Sequence, residues 1–507
     1  MLRHELINAK INHAYESTDD VKYNNIHTQH EFRLQFINDC EDLSPDEIKE
    51  AVKILQSIYD SDKVLFKSGE ERICENCKQK CFATSYCEHC VRIYLKSNYN
   101  NWKSGNDDID KLIRKCQSET LKPDMIVEWI PYEKLKNISY LTKGGFAEIY
   151  TANWIDGQYN EWDSGKKRLK RIGNQVVIIK KLENVKSANR SWFEEAESHL
   201  SICNKWMNIV QCFGLTQDRS GNYMLVMTKM DMDLEGYLKK HRGSLSWPKK
   251  FKVVINICSA LHKIHVSEKV VHRDLHSGNV LYSQKEHYWY ISDLGFCGSV
   301  DKPIRSLYGN LPYIAPEVII GKKHTIKSDI YSIGMLMWEI SSGQHPFCGY
   351  YHDFNLVLNI FNGMRPAIVP GTPSEYMELM KQCWDAIPEN RPNIETLFHR
   401  IKEINKRYCE EHPSEAFQHD DRNDLNNTFL SPVTSNQNIS SMFISKSKMH
   451  IFGNYLPEPK NISEEEQKVL YQEFCRCDDA YIPNLHPEEQ DGLEIPDNIE
   501  EFWSPTV

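Results

Sequence analysis

The sequence predicts an α+β chain in three parts: a small helical and cysteine-rich front section, a central globular unit of strands and helices, and an acidic tail. Three observations carry this expectation. Ser44-Pro45-Asp46-Glu47 starts a helix, because Ser44 can cap, Pro45 suits the first helical position and Glu47 completes a capping box. Val176-Val177-Ile178-Ile179 is a β-branched run ending at Lys180, the pattern of a strand. From Glu410 to Val507 there are twenty acidic and six basic residues in a chain of net charge −10, so the negative charge is gathered in one separate piece.

The front section divides into a helical stretch, 1–70, and a cysteine-rich one, 71–120. Ile48, Val52, Leu55 and Tyr59 recur on one face of the capped helix, which therefore packs against something. Cys74-Glu75-Asn76-Cys77 is followed, after nine intervening residues, by Cys87-Glu88-His89-Cys90. Each C-x-x-C pair offers two thiolates from one tight turn and four complete a tetrahedron, the pattern of a zinc ribbon or knuckle. A disulfide pair, free thiols, or a ligand set using Cys81 or His89 are the other readings of these residues. Four cysteine ligands would leave no open position, so the expected zinc is structural. Glu70, Glu71, Glu75 and Glu88 stand among the nearby basic residues and weaken any phosphate-binding footprint. Protein contact or stabilisation is expected there, and nucleic acid is not.

Bulk properties bound the rest. The 507 residues, 40% hydrophobic and 26% charged, can hold two or three units with a substantial core. No apolar run of about eighteen residues or more occurs, and Met1-Leu2-Arg3-His4-Glu5 opens no apolar signal region, so a cytoplasmic protein without a membrane segment is expected, the nucleus remaining open. Sixteen cysteines in an intracellular chain of this size point to metal binding and buried thiols. Lys166-Lys167-Arg168-Leu169-Lys170-Arg171 reads as a solvated loop rather than a localisation signal. The tail, 410–507, is rich in Asn, Ser and Pro, with Pro432, Pro457, Pro459, Pro483, Pro487, Pro496 and Pro505 placed to interrupt helices, and is expected to be largely disordered.

The central unit carries the chemistry. In His272-Arg273-Asp274-Leu275-His276-Ser277-Gly278-Asn279 and, fourteen residues past Asn279, Asp293-Leu294-Gly295, an acid at Asp274 can orient a hydroxyl while Asn279 and Asp293 supply the hard oxygen ligands magnesium prefers. Ala315-Pro316-Glu317 closes the segment. This order, with Leu141 to Tyr150 as a glycine-rich loop and Val176 to Lys180 as a third strand, resembles the eukaryotic protein kinases over 131–406. The resemblance implies a two-lobed fold, with a small β-rich lobe and a large helical one. Asp329 in Ser328-Asp329-Ile330-Tyr331 and Arg391 in Pro388-Glu389-Asn390-Arg391-Pro392 resemble that family's scaffold residues, the arginine pairing with Glu317. Ile291 to Gly295, Leu311 to Glu317 and Cys383-Trp384 are similar to the tyrosine-kinase-like group. Trp102 to Asp110, Glu128 to Tyr132 and Trp154 to Gly157 resemble the kinase set expanded in arbuscular mycorrhizal (glomeromycete) fungi.

The resemblance implies ATP and Mg2+ as cofactors and unidentified proteins as substrates; it leaves the oligomeric state open. Lys180 and Glu195 would align the nucleotide, with Glu194 and Glu197 the other registers of that helix. Leu141, Gly144, Gly145, Phe146 and Ile149 would cover it, and Met227, Thr228 and Met230 would line the adenine site. Asn279 and Asp293 would hold magnesium. Thr142 and Ala147 replace two glycines of the loop, Leu294 replaces a Phe, and His276 stands where serine/threonine kinases carry Lys. A pseudokinase scaffold is therefore the alternative to a serine/threonine kinase, with tyrosine or dual specificity open. A zinc-dependent nucleic-acid binder is a third and lesser alternative. Arg273 is expected to pair with a phosphate on the activation segment, at Ser306 or Tyr308, ahead of Ser299 and Tyr313.

Overall fold

The computed structural model describes residues 2–19, 22–143, 147–183, 192–298, 307–350, 352, 354–417, 448–450 and 458–477. Its front section starts with α1 (His4–Glu16), α2 (Ile26–Asn38) and α3 (Pro45–Phe66). The box at Ser44 forms as its sequence dictates: the Glu47 amide donates to Ser44 Oγ, and Glu47 Oε2 accepts from the Ser44 amide at 2.9 Å. The buried line of α3 runs through Ala51, Leu55 and Ile58. Ile48 and Val52 pack half-buried against the same cluster, so the expected face is the one that meets Ile7, Ile11 and Ile37 of α1 and α2, with Ala51 and Leu55 at its centre.

A short ribbon of β1 (Arg72–Ile73) and β2 (Lys80–Cys81) and then α4 (Glu88–Ser97) carry the four cysteines, and α5 (Asp107–Ser118) follows. The β-lobe has β3 (Glu128–Trp129), β4 (Leu135–Lys143), β5 (Glu148–Trp154), β6 (Tyr159–Asp163), β7 (Arg168–Arg171), β8 (Gln175–Lys181), α6 (Trp192–Ile202), β9 (Cys212–Gln217) and β10 (Tyr223–Thr228). Its main sheet is ordered β3-β9-β10-β8-β5-β4, antiparallel except for the β3–β9 pair. The basic stretch 166–171 lies on the β6–β7 hairpin. Lys166, Lys167, Arg168 and Lys170 are solvated as expected, but Trp162 and Leu169 are buried in one cluster with Cys74, Cys87, Cys90 and Val91. The hairpin is thus the seat on which the cysteine-rich segment rests. Arg171 is held by Glu128 and stacks 3.8 Å from the Tyr159 ring centroid.

The helical lobe holds β11 (Met232–Asp233), α7 (Leu234–Lys240), α8 (Trp247–His262), β12 (Val280–Ser283), β13 (Tyr288–Ile291), β14 (Leu307–Gly309), α9 (Pro316–Ile319), α10 (Ile326–Ser342), α11 (Phe354–Phe361), α12 (Ser374–Cys383), α13 (Ile394–Glu411) and α14 (Pro413–Phe417). From Ser328 to Ser341 every residue of α10 is buried, the signature of a central core helix. Arg391, fully buried, makes a two-pronged ion pair with Glu317 at 2.7 and 2.8 Å, tying the end of the activation segment to the lobe.

In the tail, β15 (Lys448–His450) and α15 (Glu464–Cys477) are formed, a difference from the expectation of a largely disordered piece. Ser463-Glu464-Glu465-Glu466 forms a capping box too, with the Glu466 carboxylate accepting from the Ser463 amide at 2.8 Å. Pro459 lies before this helix and Pro483 after it, so neither interrupts it. Among the described residues no helix is long and apolar enough to cross a membrane.

Candidate active site

Lys180 occupies the inner face near the end of β8, where the strand brings it under α6 and opposite the loop that ends β13. Its Nζ lies 2.8 Å from Glu195 Oε1 and 2.7 Å from Asp293 Oδ1. Lys180 and Glu195 are both buried, whereas Glu197 is exposed and Glu194 only half-buried, so helical spacing selects Glu195 as the partner. Asp293 takes a left-handed backbone at φ 53°, as Arg273 does at φ 74°. Non-glycine residues held this way store roughly 1–3 kcal/mol each, and such strain gathers where side chains are aimed rather than merely packed.

The loop from His272 to Asn279 is fixed from below. Asp329 accepts from the His272 amide at 2.7 Å, the Arg273 amide at 2.9 Å and the His265 ring at 2.7 Å. Burial alone would push the Asp329 carboxyl up, but the His265 hydrogen bond, the charge of His265 and His272, and the Arg273 amide hold it below its usual value. Asn279 donates its amide to the Asp274 carbonyl at 2.8 Å, which turns its own carbonyl oxygen the other way. His276 is buried and accepts from the Gly278 amide on Nδ1 at 3.1 Å. That bond leaves Nε2 as the protonated nitrogen, 3.8 Å from Asp274 Oδ1. Burial lowers the ring to about 4, so the group standing in the place of the lysine is a neutral donor.

Leu141 and Ile149 flank the loop end of β4 and β5, with Ile149 in register with Lys180. Gly144, Gly145 and Phe146 lie outside the described residues. Met227 and Met230 are buried, and the Thr228 amide donates to the Gln211 carbonyl at 3.0 Å, leaving that residue its carbonyl rather than its N–H for an adenine edge. Ser306 also lies outside the described residues; Tyr308 falls in β14. Arg273 is buried and donates to the Phe296 carbonyl at 3.4 Å. Tyr313 is buried with its hydroxyl 2.6 Å from Glu339, which removes it from reach of a modifying enzyme.

Sequence reasoning missed His199. One turn after Glu195 and fully buried, it stands 4.0 Å from Glu195 Oε1 and 3.9 Å from Asp293 Oδ1. The only signal was its i+4 spacing from a glutamate, and Asp293 joins the group only in the fold.

In the front section, Cys74 Sγ is 3.6 Å from Cys90 Sγ and Cys77 Sγ is 3.7 Å from Cys87 Sγ, all four within 4.8 Å of one another. Thiolates at about 2.3 Å from a tetrahedral zinc sit about 3.8 Å apart, so the cage has the size of that ion. Burial pushes the Cys90 thiol up to about 11; Cys74, despite burial, is brought down to about 6 by the amides of Cys77 and Asn76. His89 is not in the cage, and Cys81 belongs to a neighbouring group with Cys87 and Glu88.

The family described as protein tyrosine and serine/threonine kinase matches residues 135–401. Among similar proteins, "Probable serine/threonine-protein kinase roco6" of Dictyostelium discoideum is 30% identical over 267 residues, 48% of this chain and 12% of that protein. "Probable serine/threonine-protein kinase roco8" of the same organism is 33% identical over 195 residues, 36% of this chain and 10% of that one. "Mitogen-activated protein kinase kinase kinase 7" of Drosophila melanogaster is 26% identical over 238 residues, 46% of this chain and 35% of that protein. The chain thus spans from 10% to 35% of the length of these relatives. With 135–401 making up more than half of its length, and Lys180, Glu195 and Asp293 brought together within that span, the chain belongs to the protein tyrosine and serine/threonine kinase family.

Proposed function

We propose that this protein transfers the γ-phosphate of ATP to serine or threonine hydroxyls of other proteins, inside the cell. The observation that carries the reading is the cluster in which one buried ammonium, Lys180, stands between two carboxylates, Glu195 and Asp293. That cluster is one positive charge short of neutrality, and hard oxygen donors with a local excess of negative charge suit a magnesium ion. Asp293 and Asn279 would hold it, Lys180 would meet the α- and β-phosphates, and Met227, Thr228 and Met230 would line the adenine. Bound Mg–ATP supplies the phosphoryl group and neutralises the charge that develops on it. The chain's own task is positioning: Glu195 keeps Lys180 extended, Asn279 fixes the Asp274 backbone, and Asp274 accepts the incoming hydroxyl's proton. Serine/threonine specificity is supported by the names of the relatives, and a place in the tyrosine-kinase-like group by the residues from Ile291 to Gly295. The likeness of the front half to glomeromycete kinases belongs to the same proposal.

The cage of Cys74, Cys77, Cys87 and Cys90 is proposed to hold one structural zinc, which requires a reducing, intracellular setting. One observation favours a second reading, a pseudokinase: neutral His276 brings no positive charge to the position where a lysine would. Phosphoamino-acid analysis of casein incubated with the full chain and labelled Mg–ATP tests both. Phosphoserine or phosphothreonine supports the proposal, phosphotyrosine alone overturns the specificity, and unlabelled casein together with unlabelled enzyme overturns the catalysis.

A further inference from the structure

The acidic tail returns to the kinase domain at two places, and the second explains the first. At the base of the helical lobe the segment around Asn461 is built into the surface. The Lys460 amide donates to the Phe361 carbonyl at 3.0 Å, and Asn461 both accepts from the Ala386 amide and donates to Asp385, each at 2.9 Å. Ile462 lies over Gly363, which has φ 100° and no room for a side chain: a Cβ there would meet Ile462 at 2.8 Å and the Lys460 carbonyl at 3.0 Å. Only glycine permits this approach. β15, which ends eight residues before Glu458, pairs antiparallel with β14, with His450 opposite Leu307, Met449 opposite Tyr308 and Lys448 opposite Gly309.

Among the described residues β14 pairs with β15 alone, and the edge of such a short strand is the kind of surface that takes up extended peptides through main-chain hydrogen bonds. Its last residue abuts the catalytic loop. A Cβ placed on Gly309 would lie 3.2 Å from Asp274 Oδ1, so the end of β14 lies against the residue that meets the hydroxyl, and a strand paired with Gly309 runs about one strand spacing, roughly 4.8 Å, from β14 itself. An extended segment that paired with Gly309 while presenting a hydroxyl to Asp274 would need the positions that Lys448 to His450 hold.

We propose that the edge of β14 is a binding site for extended peptide, that its resident ligand is this chain's own Lys448–His450, and that the tail thereby competes with protein substrates. The identity of the competitor rests on the phosphotransfer reading above; the occupancy of the edge does not. The anchor at Asn461 and Ile462 keeps the strand close, and a tether this short gives an effective concentration of order mM, above that of a diffusing substrate.

The test uses the full chain and the variant K448P/H450P, which takes the N–H from two of the three residues of β15 and fixes their backbone without touching the catalytic loop. Hydrogen exchange followed by mass spectrometry reads the amides of Leu307 to Gly309, and casein phosphorylation reads the competition. The proposal expects these amides to lose protection in the variant, and the KM for casein to fall at least about threefold with the KM for ATP unchanged, because a tethered competitor raises only the KM of the ligand it displaces. A second variant, I462D, loosens the anchor and is expected to do the same in part. Retained protection in K448P/H450P overturns the proposal, as does lost protection with an unchanged KM for casein. If neither chain transfers phosphate, the catalytic reading has failed on its own, and the exchange result still decides whether the tail holds the edge.

Discussion

Lys180 has two carboxylate partners rather than one, and this shapes what its loss would do. Lys180→Met leaves Glu195 buried without its cation. Phosphate transfer is expected to fall by more than about a hundredfold, equal to about 2.7 kcal/mol of transition-state stabilisation. Steady-state rates measured beside a circular-dichroism melt separate that loss from unfolding. The buried histidines make a different prediction. Burial holds His30 and His276 at about 4 against an ordinary 6.5. Between these values the unfolded chain takes up protons that the folded chain refuses, so stability falls as pH drops from 6.5 toward 4, by about 1–3 kcal/mol per histidine. The melting temperature is expected to decline over that window, and less steeply in H30N/H276N. An equal decline in both proteins would contradict the assignment. At this scale the sequence was legible wherever chemistry and spacing coincide, as at Asp274, Asn279 and Asp293. His199 was not legible, since nothing in its own neighbourhood announces the aspartate it meets in space.

Elements show where local rules are enough. The box at Ser44 and the C-x-x-C turns are encoded within a few residues, and both formed where the chain spells them. The periodicity of α3 puts Ile48, Val52 and Leu55 on the side that meets α1 and α2, but the depth of each residue, with Ala51 and Leu55 innermost, is set only once those helices are in place. Ser463 to Glu466 encodes α15 just as plainly as Ser44 to Glu47 encodes α3, but the surrounding prolines and acidic composition outweighed it in reading the tail. The lysines of the β6–β7 hairpin point to a solvated loop, whereas its position is decided by Trp162 and Leu169. For the cysteine cage, purified protein is expected to contain about one zinc per chain by metal analysis, lost in Cys74→Ser or Cys87→Ser. A folded, metal-free wild type would contradict it.

Across the whole molecule the front section touches both lobes. Helix α5 packs Ile109, Leu112 and Ile113 into the core shared with α6, and Cys116 reaches the Leu200 carbonyl. At the other end Asn8 and Asn12 of α1 donate to the carbonyls of Lys285 and Glu286, and Lys402 donates to the Thr18 carbonyl. A strap of this kind supports the helix that carries Glu195. Ile113→Ala is expected to cost about 2–5 kcal/mol of stability through the cavity it leaves, and to lower the phosphorylation rate at temperatures where the chain is still folded. An unchanged melting temperature would show that α5 is not part of the core. That the cluster of Lys180, Glu195 and Asp293 serves phosphoryl transfer is tested most directly by the initial rate of label transfer from radiolabelled Mg–ATP to the full chain and to casein, wild type against Asp293→Ala. Measurable transfer by the wild type, falling at least about a hundredfold in the variant, is the result predicted; transfer by the wild type no faster than by Asp293→Ala would contradict it.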